Sequence, residues 1–149
     1  MDTFNFYDYR SAINLNDTGR RIKYVVDEEK RTVVCYMTNC RYDALDALRQ
    51  SGALCMVLIP TMGCKPFFNP NKLLINDVYR GKAKCHPDDE WDVKRGKEIA
   101  RNRMLHTYYA ARFRKLDFIR EKINQLYINL SDRAAYCSER MAKASWEKL

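Results

Sequence analysis

The chain has 149 residues, a formal net charge of +8, and 46% hydrophobic against 31% charged residues, the balance of one globular domain with a core of its own. No apolar run approaches the ~18 residues of a membrane span, and the opening MDTFNFYDYR, with Asp2 and Asp8, lacks the basic and apolar regions of a signal peptide. A membrane protein is thus not expected, and a cytoplasmic location is.

Residues 1–20 are rich in Asn, Asp, Thr and aromatics with no dominant period, and Asp17-Thr18-Gly19 reads as a turn. Arg21–Val26 and Arg31–Thr38 form the clearest strand pair. Ile22, Tyr24 and Val26 alternate with Arg21, Lys23 and Val25, and Val33, Cys35 and Met37 alternate with Thr32, Val34 and Tyr36. Asp27-Glu28-Glu29-Lys30 is the polar tip between them. Asn39–Gly52 carries a short helical stripe of Tyr42, Leu45 and Leu48, with Gly52 as its C-terminal cap.

Leu54–Ile59 is an apolar run between Gly52 and Pro60, suited to a core strand. Pro60–Lys72 is a Pro-rich loop in which Phe67 and Phe68 either cover the core or stack on a planar ring. Leu73–Cys85 returns as a strand or hairpin, with Gly81 as a candidate bulge. Pro87 ends that strand. Asp92 then caps a helix beginning at Val93, with Asp88, Asp89 and Glu90 near its positive end. Trp91, just before the cap, is expected to pack near Gly96 as a hydrophobic staple.

From Asp92 to Leu130 there is no proline and only one glycine, Gly96. Leu105, Tyr109, Arg112, Leu116, Ile119, Ile123, Leu126 and Leu130 follow at alternating steps of four and three, the spacing of an a/d seam. A helix of that extent is roughly 55 Å long, against about 30 Å for a domain of this size. It must protrude, wrap its own domain or pair with a second copy, and so regular a seam favours pairing. The alternative is a break near Leu105, giving two ordinary helices. Past Leu130, Ser131 or Asp132 is expected to cap a second helix, with Ala134, Cys137, Met141, Ala144 and Lys148 as a small-residue stripe packing antiparallel on the first.

The expected architecture is therefore α+β. An N-terminal antiparallel sheet with a short helix is followed by a long basic helix and a C-terminal antiparallel helix. Residues 1–149 form one domain, with a β-rich part over 1–85 and a helical hairpin over 86–149.

The six cysteines include no CxxC pair, and the two histidines, His86 and His106, complete no ligand set. All six thiols read as reduced, and no metal site or cofactor is expected. A carboxylate cluster such as Asp88-Asp89-Glu90 can hold a divalent cation, but it lacks regular loop spacing, and helix capping accounts for it better. There is no GxSxG, Walker loop, HExxH or GxGxxG, so no catalytic residues are assigned and an enzyme is not expected.

The charge is uneven. Residues 1–80 carry a net +2 and residues 81–149 a net +6. Lys94–Lys122 alone hold 10 basic and 3 acidic residues. Such a stripe suits a polyanion (nucleic acid, nucleotide or acidic protein), and otherwise is a solvated face. Lys97 and Arg101 are four apart and share a helical face. Arg112 stands at a seam position, where a charge needs a carboxylate, phosphate or carbonyl partner. The partner is either Asp117 or Glu121 of a facing helix, or a ligand phosphate held at a subunit junction.

The run GKAKCHPDDEWDVKRGKEIARNRM at 81–104 and the hairpin KYVVDEEKRTVVCYMTNCRYDA at 23–44 resemble small proteins of phages of Gram-positive bacteria. In size, β-rich front and helical C-terminal part, the chain is similar to the Thoeris anti-defence sponge family. That resemblance implies a protein that sequesters cyclic ADP-ribose isomers or cyclic oligonucleotides without cleaving them. It also implies homo-oligomers, a dimer or an assembly of dimers, holding ligand between neighbouring subunits. On that reading Lys97, Arg101 or Arg103 contacts phosphates and Trp91, Phe67 or Phe68 stacks on a base. The alternatives are a DNA- or RNA-binding accessory protein using the same helix, and an inhibitor that binds a host protein.

Overall fold

The computed structural model describes residues 22–52 and 69–146. Strands β1 (Ile22–Asp27), β2 (Thr32–Met37) and β3 (Tyr79–Lys84) form one antiparallel sheet in the order β1-β2-β3. Helix α1 (Asp43–Gln50) and a 3₁₀ turn (Pro70–Leu73) lie between β2 and β3, and α2 (Val93–Trp146) follows β3. The chain is thus α+β. By its internal contacts it divides into two compact units, one up to Leu116 and one from Asp117 onward. The apolar run 54–59, Phe67, Phe68, Cys55, Cys64 and the aromatic-rich N-terminal residues lie outside the described residues.

The hairpin register follows from its alternation. Ile22 pairs with Met37, Tyr24 with Cys35 and Val26 with Val33, and β3 continues the rows with Tyr79, Gly81 and Ala83. These residues face inward, with Val33 and Cys35 fully buried. A one-residue slip would turn the whole set outward, so burial itself locks the register. In the turn, Asp27 Oδ1 accepts from the Lys30 amide at 2.9 Å. Arg31 takes the left-handed conformation, φ 48°, which the flanking bonds hold in place. Its guanidinium donates to the carbonyls of Pro87 (3.0 Å) and Asp89 (2.7 Å), which ties the loop before α2 to the hairpin.

α2 lies on the inner face through a ridge at steps of four: Gly96, Ala100, Met104 and Tyr108, all buried. This ridge makes the sheet contact, with Leu105 beside it packed against the same core, and it contains two of the smallest residues in the helix. Gly81 explains why. A Cβ there would overlap the Ala100 carbonyl oxygen and stand 2.5 Å from the Met104 nitrogen. Backbone thus packs on backbone at this crossing, and Gly81 pairs in register with Cys35 rather than forming a bulge. Gly96 has a similar cause, since its Cβ would come 2.9 Å from Val33 Cγ2. The small residue is there to admit Val33 of the sheet, and not Trp91 as the staple reading held.

α1 ends at Gly52, φ 77°, whose amide donates to the Arg49 carbonyl at 3.1 Å. Ala44, Leu45 and Leu48 of this helix are buried. Buried Asp43 accepts from the Tyr108 hydroxyl, which joins α1 to α2.

α2 begins where Asp92 caps it: Asp92 Oδ1 accepts from the amides of Lys94 (2.9 Å) and Arg95 (3.2 Å). It continues through Leu105 and through Ser131 and Asp132 to Trp146. The helix is continuous through Leu105, as expected, and the alternative of a break near it is not realised. The expected return helix from Ser131 is absent, and with it the antiparallel helical hairpin. After Gly96 the sequence contains neither glycine nor proline. Ser and Asp inside a helix cost only tenths of a kcal/mol, which does not stop one without a turn residue behind them.

Candidate functional site

Three of the four predicted cations share a flank of α2. At 100° per residue, Lys97, Arg101 and Arg112 fall within about 60° of one another and Arg103 lies roughly opposite. Lys97 sits on the β1 side, its Nζ 5.5 Å from the centre of the Tyr24 ring, a cation–π contact. Arg101 is exposed and acts electrostatically on the same place. Burial pushes the Tyr24 hydroxyl and the Cys35 thiol upward, and the Arg101 charge partly offsets both.

Arg103 leaves this group. Its Nη1 donates to the Lys82 carbonyl at 2.6 Å, an acceptor of β3, which is an edge strand among the described residues. An edge strand needs such cover, so the structure assigns Arg103 a structural job and separates it from Lys97 and Arg101.

Arg112, one turn beyond Tyr108 at the end of the ridge, is half-buried, and its Nε is buried without a hydrogen-bond partner. Leaving a charged donor unmet costs a few kcal/mol. Asp117 and Glu121, its expected partners on a facing helix, each lie beside Arg120 of their own chain. The helix flank therefore ends in a guanidinium nitrogen that still lacks an acceptor.

Trp91 is half-buried against the core, and its indole N–H is also buried without a partner. It lines a cleft of about 670 Å³ with Cys85, Asp89, Glu90, Lys94 and Ile99, but not with Lys97 or Arg101. The amides of Lys94 and Arg95 there are already occupied by Asp92. Carboxylates at Asp89 and Glu90 further oppose an anion. Trp91 is therefore not brought together with the flank cations.

Sequence reasoning missed Tyr24 as a site residue, having read it only as an inward strand position. The signal was its place opposite the Lys97–Arg101 pair, which only the sheet–helix crossing discloses. Among the described residues no three His, Cys, Asp or Glu side chains converge. His86 is exposed, with Nδ1 3.4 Å from Asp88 Oδ2. Cys35, Cys85 and Cys137 are free thiols. No described helix is long and apolar enough to cross a membrane. Comparison with known proteins returned no matching family model, no matching curated protein and no matching solved structure.

Proposed function

We propose that the protein binds a cyclic nucleotide signal, a cyclic ADP-ribose isomer or cyclic oligonucleotide, and sequesters it intact as a phage anti-defence sponge. The supporting observation is the Lys97–Arg101–Arg112 flank, with an aromatic ring, Tyr24, at one end and a guanidinium nitrogen lacking an acceptor at the other. Phosphates supply the acceptors such a flank needs. The role assigned to Arg103 in the expectation passes to Arg112, and that assigned to Trp91 passes to Tyr24. Incubation with cyclic ADP-ribose or a cyclic dinucleotide, followed by heating and chromatography, tests it. Recovery of unchanged nucleotide in proportion to protein supports sequestration, and cleaved nucleotide or none retained rejects it.

In this reading the working form is a homodimer. From Arg120 to Ser145 of α2 every described side chain but Ile123 is exposed, whereas most helix stability in proteins comes from packing of an apolar face rather than from propensity. Ile123, Tyr127, Leu130, Ala134, Cys137, Met141 and Ala144 run at unbroken steps of four and three along it. Leu130 is 67% and Met141 71% exposed. Arg133 and Arg140 flank this seam at equivalent positions. An antiparallel pair would set these arginines against each other, and a parallel pair sets them against serines. Parallel pairing of two copies is therefore the favoured arrangement.

A further inference from the structure

The sheet has a second face, turned away from α2. Pairing places Lys23, Tyr36 and Arg80 in one row across the three strands, Val25, Val34 and Lys82 in the next, and Asp27, Thr32 and Lys84 in the third. Lys23, Arg80, Lys82 and Lys84 are exposed, Val25 is 52% exposed, and Tyr36 and Val34 at the centre are half-buried. Four cations thus face one carboxylate, and that carboxylate is engaged with the Lys30 amide and its ammonium at 3.3 Å. Thr32 in the third row is buried, and among the described residues the apolar core lies on the other face of all three strands.

We infer that this outer sheet face binds single-stranded nucleic acid. Arg80, Lys82 and Lys84 stand along an edge strand about 6.8 Å apart, in step with the phosphates of an extended polynucleotide chain. Tyr36 lies in the middle strand between Lys23 and Arg80, so its ring is a platform with a cation on each side. An unpaired base has a free π-face to lay on such a ring, and a duplex base does not. The valines beside it give sequence-tolerant apolar contact. Strands β1 and β3 lie only about 10 Å apart, the width of one chain rather than two.

The surface is on the opposite side of the sheet from Tyr24 and Lys97, so it stands or falls independently of the cyclic-nucleotide reading. Anisotropy of a fluorescein-labelled 12-nucleotide oligo-dT, titrated with the whole protein across a salt series, tests it. Tyr36→Ala is expected to weaken binding about tenfold, with Tyr36→Phe close to the parent. The Arg80→Gln/Lys82→Gln pair is expected to lower the slope of log affinity against log salt by roughly 1.4, the value for two phosphate contacts on a single strand. Both positions are exposed, and unchanged circular dichroism checks that the variants fold. Lys97→Gln/Arg101→Gln is expected to leave the oligonucleotide curve unchanged. No binding by the parent, equal binding by Tyr36→Ala, a salt slope unmoved by the Arg80/Lys82 pair, a slope lowered instead by the Lys97/Arg101 pair, or tighter binding of a duplex of the same length each overturns the inference.

Discussion

Gly81 and Gly96 look alike in the sequence and do different work in the fold. At Gly81 the neighbours are helix backbone atoms, which cannot give way, whereas at Gly96 the neighbour is one methyl of Val33. Gly81→Ala is therefore expected to cost about 3 kcal/mol or more and Gly96→Ala about 1, by the usual range for overpacking. Urea unfolding of the two variants measures this, and an equal cost would show that the crossing is looser than described. The buried thiol and half-buried phenol within reach of the Arg101 charge set a pH limit. Cys35 has its pKa raised by burial above the ordinary 9.0, and Tyr24 above 10.0. An acid whose folded pKa is raised is held neutral by the fold, so its stabilisation is complete below the ordinary value. That stabilisation is lost as pH rises through the ordinary value toward the raised one. The thermal midpoint should fall above about pH 9, and less steeply in Cys35→Ala.

At the level of elements, the strands were legible because the inward positions Ile22, Tyr24, Val26, Val33, Cys35 and Met37 are all apolar and recur at every second residue. The start of α2 was equally legible, because Asp92 has the chemistry of a cap and Pro87 ends the strand before it. Asp92→Ala should lower stability by about 1 kcal/mol, read by chemical denaturation. The far end of α2 was misread because Ser131 and Asp132 are capping residues by type, and type alone does not create a break. The face of α2 that meets the sheet was not read from the sequence at all. Two apolar series run along α2, and the longer-ranged seam drew attention from the short Gly96–Ala100–Met104–Tyr108 ridge. Small residues hide a contact face from any hydrophobicity pattern, and here their smallness is what allows the contact. Of the site, the Lys97–Arg101 pair was readable from spacing alone, but its neighbour Tyr24 comes from a strand some seventy residues earlier. Arg103 was misplaced because two positions along a helix turn a side chain to the other flank.

For the molecule as a whole, the exposed seam from Ile123 to Ala144 makes a definite claim about assembly. Two parallel copies place Cys137 opposite Cys137 of the second chain, near enough for a disulfide. Mild oxidation should yield a covalent dimer that Cys137→Ser abolishes, and Leu130→Glu should shift the protein to monomer by light scattering. A monomeric parent chain, or a cross-link that survives Cys137→Ser, would rule out this pairing.

The most direct test of the account is equilibrium dialysis of the intact protein against cyclic ADP-ribose and a cyclic dinucleotide, beside Lys97→Gln/Arg101→Gln and Arg112→Gln. The account predicts that at least one nucleotide is retained by the parent and released unchanged on heating. It also predicts that retention falls at least tenfold in both variants, as expected when a charge-assisted contact worth about 1.5–3 kcal/mol is removed. Retention of neither nucleotide, or retention unaltered when the flank is neutralised, would contradict it.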